Sequence, residues 1–161
     1  MKPNKSFFEW LNEDVGFTRH HLEKIFEYDF LKGIWQCLVD FLEYGPTSPI
    51  CAFQQRKGIL FIWSRKNKNE PFKWITMTPE HMTSMIHILK FKINELFQVY
   101  DQETIERARS DVDFSMEKNR NRLKAFGITA GPNDKIGLFL KQHIYNYISQ
   151  DFEDVISEMN S

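Results

Sequence analysis

The sequence predicts an α+β fold in which N-terminal helices precede a small antiparallel sheet around a central β-hairpin, and C-terminal amphipathic helices follow it. Three observations predict this class. Apolar residues recur at helical spacing in the first and last thirds of the chain. The runs 59–63 and 72–77 are rich in β-branched and aromatic residues, as strands are. The segment 64–71 between them is polar and turn-forming, which is typical of a hairpin with a long loop.

Length and composition are those of a single domain. The 161 residues are 42% apolar and 15% aromatic, which is ample for a packed core. The net charge is −1, so attraction to nucleic acid has to come from a local patch of cations. We predict one domain over residues 1–161, comprising a helical layer at 1–44, a small sheet at 50–77 and a helical part at 78–161.

The N-terminal layer contains three predicted helical segments. Ser6 is a suitable N-cap for a short first helix, and Thr18 for a second. A stronger helix is expected from about Asp29 to Tyr44, because Gly45 and the proline after it cannot continue a helix.

The predicted sheet has three strands. A short edge strand is expected at 50–53, with a turn at 54–57 leading into the hairpin. The run 59–63 is apolar at every position, which favours a strand that is covered on both faces.

The predicted core element is the helix that follows the hairpin. Thr78 as N-cap, Pro79 at the first helical position and Glu80 in the first turn form a strong start signal. The apolar stripe of this helix runs for five turns, and Ile88 and Phe91 are expected to widen it. Its other members are Met82, Met85, Ile86, Leu89, Ile93, Leu96 and Phe97.

The segment 101–125 is rich in charge and is expected to be either a solvated helix or a helix interrupted near Asp111. After a turn around Gly131, the last helix is expected to start at Asn133 or Asp134. Its apolar face begins at Ile136 and recurs to the end of the chain, which predicts a docked C-terminus. The final members of that face are Phe152, Val155, Ile156 and Met159.

The hairpin is the first candidate site, because it concentrates cations around one turn with Trp63, Phe72 and Trp74 interleaved. Lysine and arginine displace counterions from phosphates, and flat rings can stack on bases, so this pattern indicates contact with nucleic acid. The alternative is a solvated lysine-rich loop. The candidate cations are Arg56, Lys57, Arg65, Lys66, Lys68 and Lys73.

A second cluster of cations lies between residues 103 and 124. Its interpretation as a solvated helix competes with a functional hypothesis in which this helix and the hairpin tip form one basic surface. Arg109 and Arg120 are the residues that would contribute to that surface.

Signals for other chemistry are weak. Asp111 and Asp113 lack further ligands at a metal-binding spacing, and the histidines are not spaced as a ligand set. No phosphate-binding glycine cluster occurs, so no cofactor, metal site or catalytic residue is expected.

Cys37 and Cys51 are expected to be free thiols in an intracellular protein, cytoplasmic or nuclear, because no secretory signal, apolar run of membrane-spanning length or cysteine framework is evident.

These patterns favour a small non-enzymatic binding protein of regulatory or accessory type. Its expected partners are another protein, through an aromatic-rich surface, and nucleic acid or a nucleoprotein, through the basic hairpin. The composition permits a viral or mobile-element origin and a homo-oligomer. The alternative is a protein-interaction or structural subunit without nucleic-acid contact. A third alternative is an enzyme whose site is assembled from distant segments.

Overall fold

A computed structural model describes residues 2–43, 45 and 47–150, and it confirms the predicted α+β class, with helices before and after a small sheet. The helices of the described residues are Phe7–Glu13 (α1), Arg19–Leu38 (α2), Pro79–Glu103 (α3), Ile105–Ser110 (α4), Val112–Ala125 (α5) and Asn133–Ile148 (α6), with a short 3-10 helix at Ile128–Ala130. The strands are Ile50–Phe53 (β1), Phe61–Ser64 (β2), Lys73–Thr76 (β3) and the two-residue Ser149–Gln150 (β4).

The first helices start where the sequence predicts. Ser6 caps α1 by accepting a hydrogen bond from the N–H of Glu9 at 3.2 Å. Helix α2 begins directly after Thr18, whose own N–H donates to Nδ1 of His21 at 2.9 Å. Because a helix start leaves backbone donors without helical acceptors, such side-chain acceptors stabilise it.

Helix α2 is broken at Asp29, where the sequence predicts a new helix to begin. Asp29 has φ 70° and ψ 175°, a backbone region occupied almost only by glycine. Its Oδ1 accepts hydrogen bonds from the N–H of Phe30 at 2.7 Å and from the hydroxyl of Thr129 at 2.6 Å. The break brings the two halves of α2 close together, since a Cβ at Gly33 would lie 2.7 Å from the Cα of Ile25.

The second half of α2 ends earlier than predicted. It stops at Leu38 rather than Tyr44, which lies outside the described residues. The chain leaves the helix through a tight turn in which Phe41 N–H donates to Leu38 O at 3.0 Å. This turn places Asp40 against His21, with 2.9 Å between Oδ2 and Nε2, and buries Leu42 in the core.

The sheet has the order β3-β2-β1-β4, with antiparallel pairing among β1, β2 and β3. The predicted hairpin is confirmed, because β2 and β3 pair from Phe61 opposite Thr76 to Ser64 opposite Lys73. The prediction that β1 is an edge strand is wrong, since the residues of β4 pair with it in parallel on its other side.

The prediction that the run 59–63 is covered on both faces is also wrong. Leu60 and Ile62 are fully buried on the core face, whereas Phe61 and Trp63 on the opposite face are only half-buried. The apolar run therefore combines a core face with an aromatic outer face, which is why it shows no polar alternation.

Helix α3 is the central core element, as predicted. Thr78 caps it by accepting from His81 N–H at 3.2 Å, and Pro79 occupies the first position. Its buried residues are Met82, Met85, Ile86, Leu89, Ile93 and Phe97, which join the core with residues from α1, α2, α6 and the sheet. Ile88 is half-buried against the core, but Phe91 is 63% exposed and does not widen the stripe.

The charged segment after α3 is interrupted rather than continuous. Asp111 separates α4 from α5 and caps α5 by accepting from Phe114 N–H at 3.1 Å. The last helix, α6, starts at Asn133 and buries Ile136 along with the later members of its apolar face up to Ile148. The predicted continuation of that face, at Phe152, Val155, Ile156 and Met159, lies outside the described residues.

The backbone conformation of Asp29 predicts that glycine at this position is less destabilising than alanine. We expect Asp29→Ala to destabilise the protein by about 1–2 kcal/mol, because the strain stays while the N–H of Phe30 and the Thr129 hydroxyl lose their acceptor. Asp29→Gly should be about 1 kcal/mol more stable than Asp29→Ala, because glycine tolerates this backbone region. Asp29→Asn keeps the Oδ1 acceptor and serves as the control. Urea titration measures all three, and a glycine variant less stable than the alanine variant would contradict the strain assignment.

Candidate nucleic-acid interface

The β2–β3 loop, residues 65–72, is ordered by hydrogen bonds within the loop. Asn67 Oδ1 accepts from Asn69 N–H at 3.0 Å, and the carbonyl of Asn67 accepts from Glu70 N–H at 3.2 Å. The guanidinium of Arg65 donates to the carbonyl of Lys68 at 3.1 Å. These bonds across the turn hold the loop in a defined shape at the end of the hairpin.

The cations of this loop are exposed and unpaired. Arg65, Lys66, Lys68 and Lys73 are all exposed, and within the described part of the chain none forms an ion pair. The guanidinium carbon of Arg65 lies 4.4 Å from the centroid of the Phe72 ring, which is a cation–π contact. We define Arg65, Lys66, Lys68 and Lys73 as the hairpin cations.

One acidic residue lies among the hairpin cations and offsets only part of their charge. Glu70 is the acidic residue among the loop side chains, and its carboxylate accepts from the amide of Asn67 at 3.0 Å. The four hairpin cations outnumber this single carboxylate, so the hairpin tip keeps a net positive charge even though the whole protein is nearly neutral.

Arg56 and Lys57 lie at the other end of the sheet. They belong to the turn between β1 and β2, whereas the hairpin cations adjoin the opposite end of β2. Both side chains are exposed, and the Arg56 guanidinium carbon is 5.9 Å from the centroid of Phe61. Cations thus flank β2 at both of its ends.

Arg109 and Arg120 do not join the hairpin. The hairpin leads directly into the N-terminus of α3, while α4 and α5 follow the C-terminus of that helix, which is roughly 36 Å long at 1.5 Å per residue. Arg109 is paired with Glu106 at 2.8 Å, and Arg120 lines a groove that also contains Glu23 and Glu117. The hypothesis of one basic surface formed by the hairpin and this segment is therefore wrong.

The cations of α5 include one that sequence reasoning misassigned. Lys118 was expected on a solvated face but is buried, with its Nζ 2.8 Å from Oδ1 of Asp101 and 3.0 Å from the Asp101 carbonyl oxygen. Arg122 also contacts this carboxylate, at 3.1 Å. The hydrogen bond from Lys118 holds the pKa of Asp101 below its usual range. These charges stabilise the junction of α3 with α5 and are not available to a ligand.

Sequence reasoning named Trp63 and Trp74 as rings beside the hairpin cations, but it missed that they belong to an aromatic outer face of the sheet, because it expected the run 59–63 to be covered on both faces. Phe61 and Trp63 of β2 lie on the same face as Trp74 of β3, because Trp63 and Trp74 pair directly across the strands. Their rings form an edge-to-face contact with centroids 5.4 Å apart. The sequence offers no clear signal for this face, because the run 59–63 is apolar at every position.

A threonine, a histidine and an aspartate converge at the start of α2 in an arrangement that resembles a hydrolytic relay. Thr18 Oγ1 is 3.2 Å from His21 Nδ1, and His21 Nε2 is 2.9 Å from Asp40 Oδ2. The same threonine–histidine geometry recurs at α3, where Thr78 Oγ1 is 3.0 Å from His81 Nδ1. In both places the histidine nitrogen accepts the N-cap N–H, which assigns the pair a capping role.

A cleft between the N-terminal end of α3 and α6 is too small for a typical ligand pocket. Its volume is about 280 Å³, and its lining combines the buried Leu60, Met77 and Met82 with polar side chains such as Asn133 and Lys141. Ligand pockets usually measure about 300–1,000 Å³ and bury most of the ligand. The methionines here are buried, as the core interpretation of their spacing predicts.

Neither a metal-binding cluster nor a membrane-spanning helix occurs in the part of the chain that the structure describes. Its histidine, cysteine and acidic side chains form no cluster of three that could hold a metal ion. Within residues 2–43, 45 and 47–150, no helix is both long and apolar enough to cross a bilayer. Asp111 serves as a helix cap, in agreement with its expected helix-terminal position.

Comparison with known proteins found no matching family model, no similar curated protein and no similar solved structure. The function of the chain is therefore inferred from the chemistry of its surface.

Both cysteines are free, as predicted. Cys37 is buried with its Sγ 3.3 Å from the carbonyl oxygen of His21, and Cys51 is half-buried in β1. Burial disfavours the thiolate and raises the pKa of each thiol to about 12.

We expect the native protein to react with iodoacetamide at pH 8 at least about 100-fold more slowly than the same protein in guanidinium, because a thiol with a pKa near 12 is almost wholly protonated there. The rate should rise about tenfold per pH unit as the thiolate fraction rises. Intact-mass analysis measures the labelling. Rapid modification of either native cysteine, or a two-dalton deficit before labelling, would contradict the assignment.

Proposed function

We propose that this protein is a small non-enzymatic intracellular protein that binds nucleic acid through the hairpin cations. The observation that carries the proposal is a contrast between two groups of cations. The hairpin cations are exposed and without ion pairs among the described residues, whereas Arg109, Lys118 and Arg122 have acidic partners. Charge that is not used to stabilise the fold is available to a polyanion.

The chemistry of the tip suits phosphate. Lysine and arginine that neutralise phosphates release condensed counterions, and this supplies most of non-specific affinity. Arg65 itself helps to order the turn through its bond to the Lys68 carbonyl, and Lys66 and Lys68 are exposed on that turn. A preorganised cluster loses less side-chain entropy on binding than a disordered one.

The test removes the charge at the tip. We expect Arg65→Ser, Lys66→Ser and Lys68→Ser together to leave the fold intact, because these exposed loop side chains bury little apolar area. Binding to mixed-sequence DNA or RNA should weaken, and the slope of log affinity against log salt should fall by roughly 2–3 units, about one for each lost phosphate contact. Fluorescence anisotropy over a salt series measures both quantities.

The matched control removes the same number of charges elsewhere. Lys32→Ser, Arg109→Ser and Arg120→Ser together change exposed cations on α2, α4 and α5. We expect this variant to lose only the part of the affinity that depends on the net charge of the whole protein. Equal losses in the two variants, or no binding by the wild type even at low salt, would refute the proposal.

A second candidate function is contact with another protein, and one observation favours it. Helix α5 presents Val112, Met116 and Leu123 outward, with exposures of 75%, 54% and 47%. Their spacing is that of a helix-pairing seam. We propose a second copy of the chain as the occupant, because antiparallel pairing of two α5 helices would bring Asp113 of one copy beside Arg120 of the other.

Self-association through α5 predicts a concentration-dependent mass. Sedimentation equilibrium should show dimers of the wild type, and Met116→Lys should shift the equilibrium to monomers because it puts a charge in the apolar seam. Phe91→Lys, on an exposed position of α3, is the control and should leave the equilibrium unchanged. Dimers that persist in Met116→Lys, or a wild type that stays monomeric at high protein concentration, would contradict this seam.

A further inference from the structure

We infer that the outer face of the sheet is a stacking platform for the bases of single-stranded nucleic acid. This inference rests on the proposed function, because the hairpin cations supply the phosphate contacts beside the platform. The platform consists of Phe61, Trp63 and Trp74.

The strand register places these rings on one surface. Trp63 lies opposite Trp74, and Phe61, two residues before Trp63, therefore points to the same side. Along a strand, side chains on one face are about 6.7 Å apart, which is close enough for neighbouring rings to receive neighbouring bases. Trp63 and Trp74 are in contact, with ring planes at 67° to each other.

Among the described residues, the core lies on the other face of the sheet. The buried residues Ile50, Ala52 and Ile62 point to the opposite face, where they pack with the helices. Trp74 is 38% exposed, and Phe61 and Trp63 are half-buried. Antiparallel sheets that have one face toward solvent usually carry polar residues there, so large rings at these positions indicate a ligand with flat apolar faces.

The charge around the platform selects a polyanion rather than an apolar partner. Arg56 and Lys57 adjoin one end of β2, while the loop cations within residues 65–68 adjoin the other. Lys73 pairs with Ser64 and therefore lies on the opposite face of the sheet from the platform. A strand of nucleic acid that runs along β2 would therefore meet cations at both ends and rings between them. This combination of aromatic stacking with a basic track is the general mode of single-strand binding.

The platform excludes a duplex as the preferred ligand. Bases in a duplex are stacked on one another and present only their edges, so their faces cannot reach Trp63 or Trp74. An unpaired strand can turn its bases out onto the rings. Unlike the hairpin cations, which contact phosphates in either form, the platform distinguishes the two.

The first experiment compares ligands on the wild-type protein. Affinities are measured for a mixed-sequence 12-nucleotide DNA, for its duplex and for an abasic strand of the same length, at one ionic strength. Because stacking contributes to single-strand affinity base by base, we expect the normal strand to bind about 5- to 150-fold more tightly than the abasic strand. It should also bind more tightly than the duplex, and it should quench tryptophan fluorescence.

The second experiment removes the ring and keeps an apolar side chain. Trp74→Leu should lose about 5- to 150-fold in affinity for the single strand, with no change for the abasic strand, whereas Trp74→Phe should retain most of the affinity. Phe91→Leu is the control, because Phe91 is exposed on α3 away from the sheet. If Trp74→Leu does not fold, the abasic comparison decides, since it leaves the protein unaltered.

The outcomes separate this inference from the proposed function. Equal affinity for normal and abasic strands, or a preference for the duplex, overturns the platform and leaves the phosphate contacts of the hairpin cations standing. The same holds if Trp74→Leu binds like the wild type. Absence of binding to every one of these nucleic acids at low salt overturns both.

Discussion

Burial of one face of α3 is the constraint on which the rest of the structure depends. Leu89, Ile93 and Phe97 have at most 1% of their surface exposed, and α1, α2, α5 and α6 all pack against this helix. Its N-terminus is tied to the sheet, because Met77 N–H donates to the carbonyl of Leu60 at 2.8 Å just before the Thr78 cap. The hairpin therefore lies at the N-terminal end of α3, and the packing of α3 in the core fixes the direction of the hairpin.

The other end of α3 is organised by ionic contacts. Asp101 receives Lys118 and Arg122 from α5, and Arg19 of α2 pairs with Glu103. Charges placed there satisfy one another and hold helices together. The cations that contact Asp101 and Glu103 near the C-terminal end of α3 thus hold helices together, whereas the hairpin cations near its N-terminal end are exposed to solvent.

Much of the fold follows from local signals in the sequence. The Thr78-Pro79 start, the break before Phe30 and the two strands around the polar loop all depend on neighbouring residues, so periodicity and capping chemistry locate them. Two of the errors concern long-range contacts. Burial of Lys118 depends on Asp101, and the pairing of β1 with β4 depends on a segment nearly 100 residues away.

The candidate site divides in the same way. The cations of the hairpin are evident from composition, whereas the separation of Arg109 and Arg120 from them depends on the length and direction of α3. The aromatic face required knowledge of which side of β2 meets the core. Its alternation was hidden, because both faces of the strand carry apolar residues and hydropathy alone does not distinguish a ring that packs inward from one that points outward.

The position of β3 at the edge of the sheet has a consequence for how the protein behaves at high concentration. An edge strand offers unpaired backbone groups to any other extended chain, and natural proteins limit such pairing with short strands and charged side chains. Here the strand is four residues long and begins with the exposed Lys73. This lysine therefore opposes intermolecular sheet growth, and neutralising it by acetylation would remove a barrier to aggregation beside an aromatic surface.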